Sequence, residues 1–264
     1  MGSNSLEEII NKKKEILNLF KNKFKIEDLN YKIKKYEKYF DFKEKIKSNF
    51  SEGKFSLIAE IKKASPSAGV IIEDYNPVTI AGIYEKNKAT CLSVLTEEDF
   101  FSGSLDHISK IKEKVNLPIL CKDFFIDKFQ IPLAKSYGAD AILLIVAALT
   151  KNQLEELYNT ALEYKMSIII EVHTVDEANK IANFKNAIIG INNRNLKTLK
   201  TDLNNTFEIY KTLNSFEGIL ISESGIKNKD DVLKISNQTN IKTFLIGESL
   251  LKNLDNSSIF SVLN

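Results

Sequence analysis

The chain is poor in the residues that build disulfide frameworks and metal sites. It has 2 cysteines and 2 histidines in 264 residues. Cys91 and Cys121 both lie in apolar, strand-like runs, so they read as buried free thiols of a reducing cytosol; a disulfide would have to join two strands of one sheet. His107 and His173 stand far apart, and neither shares metal-ligand spacing with a cysteine, which argues against a zinc site. Net charge of one sign is also missing. With 37 basic and 35 acidic residues the balance is +2, and nothing calls for a nucleic acid or a strongly acidic partner. The longest apolar run, Ala139 to Leu149, contains Asp140 and is too short to span a bilayer. The Lys- and Asn-rich beginning has no continuous apolar stretch, so no secretory signal is expected and the cytoplasm is the expected location. No glycine-rich dinucleotide fingerprint follows the first strand-like run, which counts against a cofactor-binding open sheet.

What is there is ordinary for a globular protein with a real core: 43% hydrophobic and 27% charged residues. The length suits two small domains or one α/β barrel. Residues 1–50 differ from the rest, holding 13 lysines against 8 acidic residues, net +5. Leu6, Ile9, Ile10, Lys13, Ile16, Leu17 and Phe20 recur at helical spacing, predicting an amphipathic helix from Ser5 to Lys21. Further helices are expected near Glu27–Tyr36 and Asp41–Ser48. The lysines read as a solvated face on helices packed over the remainder, or as a lid that attracts a phosphorylated, carboxylated substrate.

From Phe55 onward strand and helix alternate. Strand-like runs fall at Phe55–Ile61, Thr90–Leu95, Pro118–Lys122, Ala141–Val146, Ser167–Val172, Ala187–Ile191, Gly218–Ile221 and Thr243–Ile246. Helical patterns lie between them, with Leu254–Leu263 as a candidate to close the series and Thr174–Glu177 as a capping box for the fifth. The pattern predicts a (β/α)8 barrel over residues 51–264 with a helical extension over 1–50, together one structural domain.

The stretch Leu57–Gly69, LIAEIKKASPSAG, runs from a buried strand into a polar loop. Glu60 and Lys62 are two residues apart, so a strand presents both to one side. Catalytic residues of a barrel sit at the C-terminal strand ends. Those ends supply Glu60 and Lys62, Thr96 to Phe101, Lys122 to Phe124, Glu171 to His173, Asn192 to Arg194, Glu223 to Gly225, and Gly247 with Glu248. Such a convergence of lysines and glutamates predicts an active site with perturbed pKa values. Lys122 and Glu171 suit an acid–base pair facing each other across the mouth. Lys62 could hold a substrate carboxylate, with Glu60 positioning it; a strand-end lysine forming a Schiff base is the rival chemistry. Ser65, Gly225 and Gly247 are placed for a phosphate grip, with Glu248 turned away. Phe100, Phe101 and Phe124 offer an apolar wall for an aromatic ring or belong to the core. His173 reads as part of the turn before the fifth helix and His107 as a surface residue.

The segments IAEIKKASPS, SVLTEEDFFSGS, PILCKDFFID, GADAILLIVAAL, IIIEVHT, IIGINNRNLKTL, ISESGI and FLIGESL resemble motifs of the indole-3-glycerol-phosphate synthase family, in that family's order. The resemblance is weakest over residues 1–50. It implies an enzyme of tryptophan biosynthesis, a carboxy-lyase that closes an indole ring. The implied substrate is 1-(2-carboxyphenylamino)-1-deoxyribulose 5-phosphate. The resemblance further implies Lys122 as the acid and Glu171 as the carboxylate of the dehydration. It implies Lys62 as the carboxylate contact and second acid, and Glu60, Asn192 and Glu223 as residues that orient substrate and lysines. Ser65, Arg194, Ser224, Gly225 and Gly247 fall on or beside the phosphate and substrate contacts. No metal or organic cofactor is implied, and other enzymes of the pathway are the partners to consider. A Schiff-base aldolase and a non-catalytic phosphosugar-binding barrel are the competing readings.

Overall fold

The computed structural model describes residues 6–181, 183–254 and 256–263. Eight parallel strands close into a barrel: β1 Ser56–Ile61, β2 Cys91–Leu95, β3 Ile119–Lys122, β4 Ala141–Ile145, β5 Ser167–Val172, β6 Ile188–Asn192, β7 Leu220–Glu223 and β8 Thr243–Ile246. Closure is direct, since β1 pairs with both neighbours: Ile58 stands opposite Cys91 on β2 and opposite Leu245 on β8.

The continuous apolar runs follow from burial of both strand faces. On β1, Leu57, Ala59 and Ile61 point outward into the layer shared with the helices, whereas Ile58 points inward. The same alternation holds on β5, where Ile168, Ile170 and Val172 face the helices and Ile169 faces the interior. The interior is a packed core of Ile58, Leu120, Leu143, Ile169, Ile188, Ile221 and Leu245. Period two then aims Glu60, Lys122, Glu171 and Glu223 inward one step beyond those apolar residues, and Asn192 two steps beyond Ile188, past Gly190.

Three helices precede the barrel: α1 Leu6–Lys23, α2 Ile26–Lys35 and α3 Phe42–Ser51. They serve opposite ends. Phe42 and Ile46 of α3 are fully buried among the interior residues and plug the N-terminal end. By contrast, α1 lies at the C-terminal mouth, where buried Lys13 pairs with Asp123 at 2.7 Å and Lys21 with Asp127 at 2.5 Å. In the link from α2 to α3, the Phe40 N–H donates to Asp140 at 2.7 Å, and Asp140 also pairs with buried Lys112 at 2.5 Å.

The connecting helices are α4 Pro77–Lys86, α5 Leu105–Lys112, α6 Gln130–Ser136, α7 Lys151–Glu163, α8 Val175–Asn179, α9 Asn204–Leu213, α10 Lys229–Gln238 and α11 Glu248–Leu251. Local chemistry sets several of their starts. Asn76 caps α4 ahead of Pro77, Ser104 caps α5 and Asn228 caps α10. A full capping box forms at Thr150 and Gln153 of α7. The box expected at Thr174 is only half made. Thr174 accepts from the Glu177 N–H, but the Glu177 carboxylate reaches one residue further back, to the His173 N–H at 2.7 Å. The closing helix also differs from expectation. It begins at Glu248, directly after the Gly247 turn, and Ser258–Leu263 is a 3-10 helix; residues 5, 182 and 255, which fall within three of the expected helices, lie outside the described residues. The loop after β1 carries a hairpin of two-residue strands, Ala64–Ser65 and Gly69–Val70.

Candidate active site

The C-terminal mouth gathers two lysines and three glutamates. Lys122 Nζ lies 3.2 Å from Glu60 Oε2, 3.2 Å from Glu223 Oε2 and 4.0 Å from Glu171 Oε2. Lys62 Nζ sits 2.6 Å from Glu60 Oε1, so the residue pair two apart on one strand face does meet. Glycines clear the space. A Cβ on Gly190 of β6 would collide with Glu223 Oε1, and one on Gly247 would lie 2.5 Å from Glu60 Oε1. Gly247 thus makes room for a catalytic-site carboxylate as well as bordering the cavity.

The charges are strongly coupled by burial. Burial alone would raise Glu60, but Lys122 and Lys62 outweigh it and hold the carboxyl down to about 2. Burial would likewise raise Glu171, yet His173 and Lys122 bring it to about 2. Glu223 goes the other way. Burial and the charge of Glu171 outweigh Lys122 and push it up to about 8, so of the two coupled carboxyls Glu223 holds a proton more readily than Glu171. Burial works against the Lys122 ammonium, and the three surrounding glutamates overcome it, lifting the pKa above the ordinary lysine value.

A cavity of 1110 Å³ opens above this cluster. Glu60, Lys62, Lys122, Glu171 and Asn192 form its floor, and Ser65, Arg194, Ser224, Gly225 and Gly247 line one flank. Glu223 is fully buried beneath and reaches the cavity through Lys122. Ser224 and Gly225 both have positive φ, 69° and 78°, a strained turn held from below by Asn193, whose Nδ2 donates to the Ser224 carbonyl at 3.1 Å. The Arg194 guanidinium donates to the Leu199 carbonyl at 2.7 Å and lies 4.0 Å from Glu248. Glu248 is held by Lys252 at 2.6 Å; it borders the cavity rather than turning out of it. Phe101 and Phe124 form a tilted pair, 6.3 Å between centroids, on the other flank, while Phe100 does not line the cavity. Leu6 and Ile9 of α1 complete the wall.

Sequence reading assigns three contributors no role in the site, although Glu97 and His173 stand at its strand ends. His173 is buried and its ring nitrogens lie 3.2 Å from Glu171 and 3.5 Å from Glu177. Its position two residues after Glu171 was the available signal, since the alternation of β5 continued one step aims it inward. Glu97 is a buried carboxylate that accepts from the N–H groups of Phe100 at 2.7 Å and Phe101 at 3.2 Å, fixing the aromatic wall. Gly190 offered no signal, because the residue it accommodates stands on another strand. His107, expected at the surface, is half-buried against Tyr75, 5.6 Å between ring centroids. Among the described residues, no group of three or more His, Cys, Asp or Glu is placed to hold a metal ion.

A family model described as Indole-3-glycerol phosphate synthase matches residues 6–262. An indole-3-glycerol phosphate synthase of Prochlorococcus marinus subsp. pastoris is 46% identical, with 99% of this chain and 90% of that protein covered. Its counterpart in Aliarcobacter butzleri is 41% identical, with 94% of this chain and 93% of that protein covered. Among solved structures, a tryptophan synthase alpha chain from Legionella pneumophila subsp. pneumophila superposes with a TM-score of 0.60 at 10% identity, covering 84% of this chain and 97% of that one. At that identity the likeness concerns the fold alone.

Proposed function

The chain belongs to the indole-3-glycerol phosphate synthase family, and from that premise we propose how its residues divide the work. The activity is a decarboxylating ring closure that serves tryptophan biosynthesis. The reaction converts 1-(2-carboxyphenylamino)-1-deoxyribulose 5-phosphate to indole-3-glycerol phosphate. The observation that carries the division of roles is Lys122, an ammonium held between Glu60 and Glu223 at the cavity floor.

In the first step the ring carbon bearing the carboxylate attacks the ribulose carbonyl. The carbonyl π pair moves to oxygen, and the new alkoxide takes a proton from Lys122. An alkoxide is about as basic as hydroxide, whose conjugate acid has a pKa of about 15.7, so transfer from an ammonium is downhill. Carbon dioxide then leaves, its bonding pair returning to the ring and restoring aromaticity. In the last step Glu171 removes a proton from the methylene carbon next to nitrogen. The hydroxyl departs as water with a proton from Lys62, which also contacts the substrate carboxylate and is held in place by Glu60. Glu171, kept ionised well below neutrality, is available as a base. Asn192 accepts from the Arg194 N–H at 2.9 Å and orients the substrate together with Glu223.

The phosphate goes to the flank of Ser65, Arg194, Ser224, Gly225 and Gly247, which line the cavity and include the positive-φ turn at Ser224 and Gly225. The aryl ring lies against Phe101 and Phe124. Residues 1–50 and 51–264 work as one unit, α1 closing the cavity wall from above. No helix among the described residues is long and apolar enough to cross a membrane. The cytoplasm is the proposed location, in keeping with two buried free thiols.

The test follows indole fluorescence with the carboxyphenylamino-deoxyribulose phosphate as substrate, with and without a chelator. Product formed equally in both supports this chemistry. A folded protein that binds the substrate and makes no product would instead favour the non-catalytic reading, and a borohydride-trapped adduct on Lys62 or Lys122 the Schiff-base reading.

A further inference from the structure

We infer that His173 is a positioning residue for this reaction: clamped as an imidazolium between Glu171 and Glu177, it keeps Glu171 ionised and aimed at the substrate. The inference rests on Glu171 acting as the base.

The placement of the ring between two carboxylates favours the doubly protonated form. Nε2 lies 3.2 Å from Glu171 Oε1, and Nδ1 lies 3.5 Å from Glu177 Oε2. A neutral imidazole has a single N–H, so one ring nitrogen would turn a lone pair on a carboxylate; only the imidazolium carries a proton on both. The two contacts are close approaches rather than aligned hydrogen bonds, and they become ion pairs once the ring carries its second proton. Burial opposes the charge, but the two carboxylates raise His173 to about 10.

The clamp is anchored on every side. The Glu177 oxygen that faces the ring also accepts the His173 backbone N–H at 2.7 Å. Asn205 donates to the His173 carbonyl at 3.1 Å and to the Asn192 carbonyl at 2.8 Å, tying the end of β5 to the end of β6. The ring does not line the cavity, so it reaches the substrate only through Glu171.

Charge balance explains what the clamp does. Glu171 on β5 and Glu177 on α8 face His173 directly. Lys122 on β3 and Glu223 on β7 face Glu171 from the other side. With Glu60 and Lys62 included, four carboxyls meet three cations, and Glu223, its pKa raised by burial and by Glu171, is the carboxyl that takes a surplus proton most readily. Without the imidazolium the same four carboxyls meet two cations. Glu171, beside Glu223, is then the next group to take a proton, and the base is lost.

Two measurements test this. With only 2 histidines in the chain, imidazole 15N resonances of the labelled wild-type protein can be assigned, and His173 should show both nitrogens protonated from about pH 6 to about pH 8.5. A neutral His173 ring at about pH 7.5 overturns the inference, whatever the activity. Turnover of wild-type protein tests the underlying reading separately. In His173→Gln, kcat should fall about tenfold or more near pH 7.5, with KM changed less than about twofold. A new acid limb should appear, lowering kcat about tenfold per unit of pH. Glu177→Gln, whose amide oxygen can still accept the His173 N–H, should shift the limb in the same direction by less. A folded His173→Gln enzyme with wild-type kcat, or with a loss uniform across pH, would overturn the assignment.

Discussion

Gly190→Ala isolates a steric requirement of the active site. Gly190 lies on β6 and outside the positive-φ region, so alanine meets no conformational penalty there. The difficulty is one neighbour: the new methyl would overlap Glu223 Oε1, with Ile169 Cγ2 at 3.3 Å as a tight second contact. To restore ordinary van der Waals separation the carboxyl must retreat by about 1 Å. That movement loosens the 3.2 Å contact with Lys122, and Glu223 no longer stands where it balances the cluster. A displacement of about 1 Å in a catalytic constellation costs up to roughly 100-fold in rate. We therefore expect kcat to fall between about tenfold and 100-fold, with a stability loss of about 1–3 kcal/mol from overpacking. Steady-state indole fluorescence reads the first, and urea unfolding the second. The decisive control is Gly190→Ala in a Glu223→Ala background. With the obstructing carboxyl gone, the alanine should cost little further activity, a strongly non-additive pair. Additive losses, or wild-type kcat in Gly190→Ala alone, would refute the argument.

Other perturbations have definite expected outcomes. Lys122→Ala should lower kcat by about 100-fold to 10,000-fold while substrate binding, measured by calorimetry, changes little; near-normal turnover would remove Lys122 from the acid role. Lys112→Met leaves Asp140 without its buried partner and should cost about 3–5 kcal/mol, which Lys112→Met with Asp140→Asn partly recovers. A thermal melt should show it as a drop of about 10 °C, with kcat at low temperature retained. The site also sets a pH dependence of stability. Glu60 and Glu171, lowered from 4.5 to about 2, contribute stability that is present above 4.5 and lost as pH falls toward about 2. Glu223, raised from 4.5 to about 8, and His173, raised from 6.5 to about 10, contribute stability that is lost as pH rises through those windows. The melting temperature should therefore decline from about pH 5 to about pH 10, and His173→Gln should flatten the upper half of that decline; an unchanged slope in the variant would contradict it.

The barrel was legible because its strands are short apolar runs buried on both faces and separated by helical periodicity, a pattern that survives without any contact information. The strand ends were legible for the same reason. Alternation alone places Glu60 and Lys62, Lys122, Glu171, Asn192 and Glu223 at one mouth, and the distances among them agree with that convergence. The end of the chain read less well: the turn at Gly247 starts a short helix at once, where helical periodicity favoured a later segment.

Sequence by itself determined the alternation, the direction each strand-end side chain points, and the helix starts whose caps are local. Only the tertiary structure decided that α3 plugs one end of the barrel while α1 walls the other, because both are amphipathic and nothing within them says which apolar surface they cover. It alone decided that Gly190 and Gly247 are spaces cut for Glu223 and Glu60, since a glycine's neighbours belong to other strands. It also decided the protonation of the site. Whether Glu171 is a base and Glu223 an acid depends on burial and on charges brought from β3, β5, β7 and α8, and a pKa is a property of that assembled field rather than of the residue that bears it.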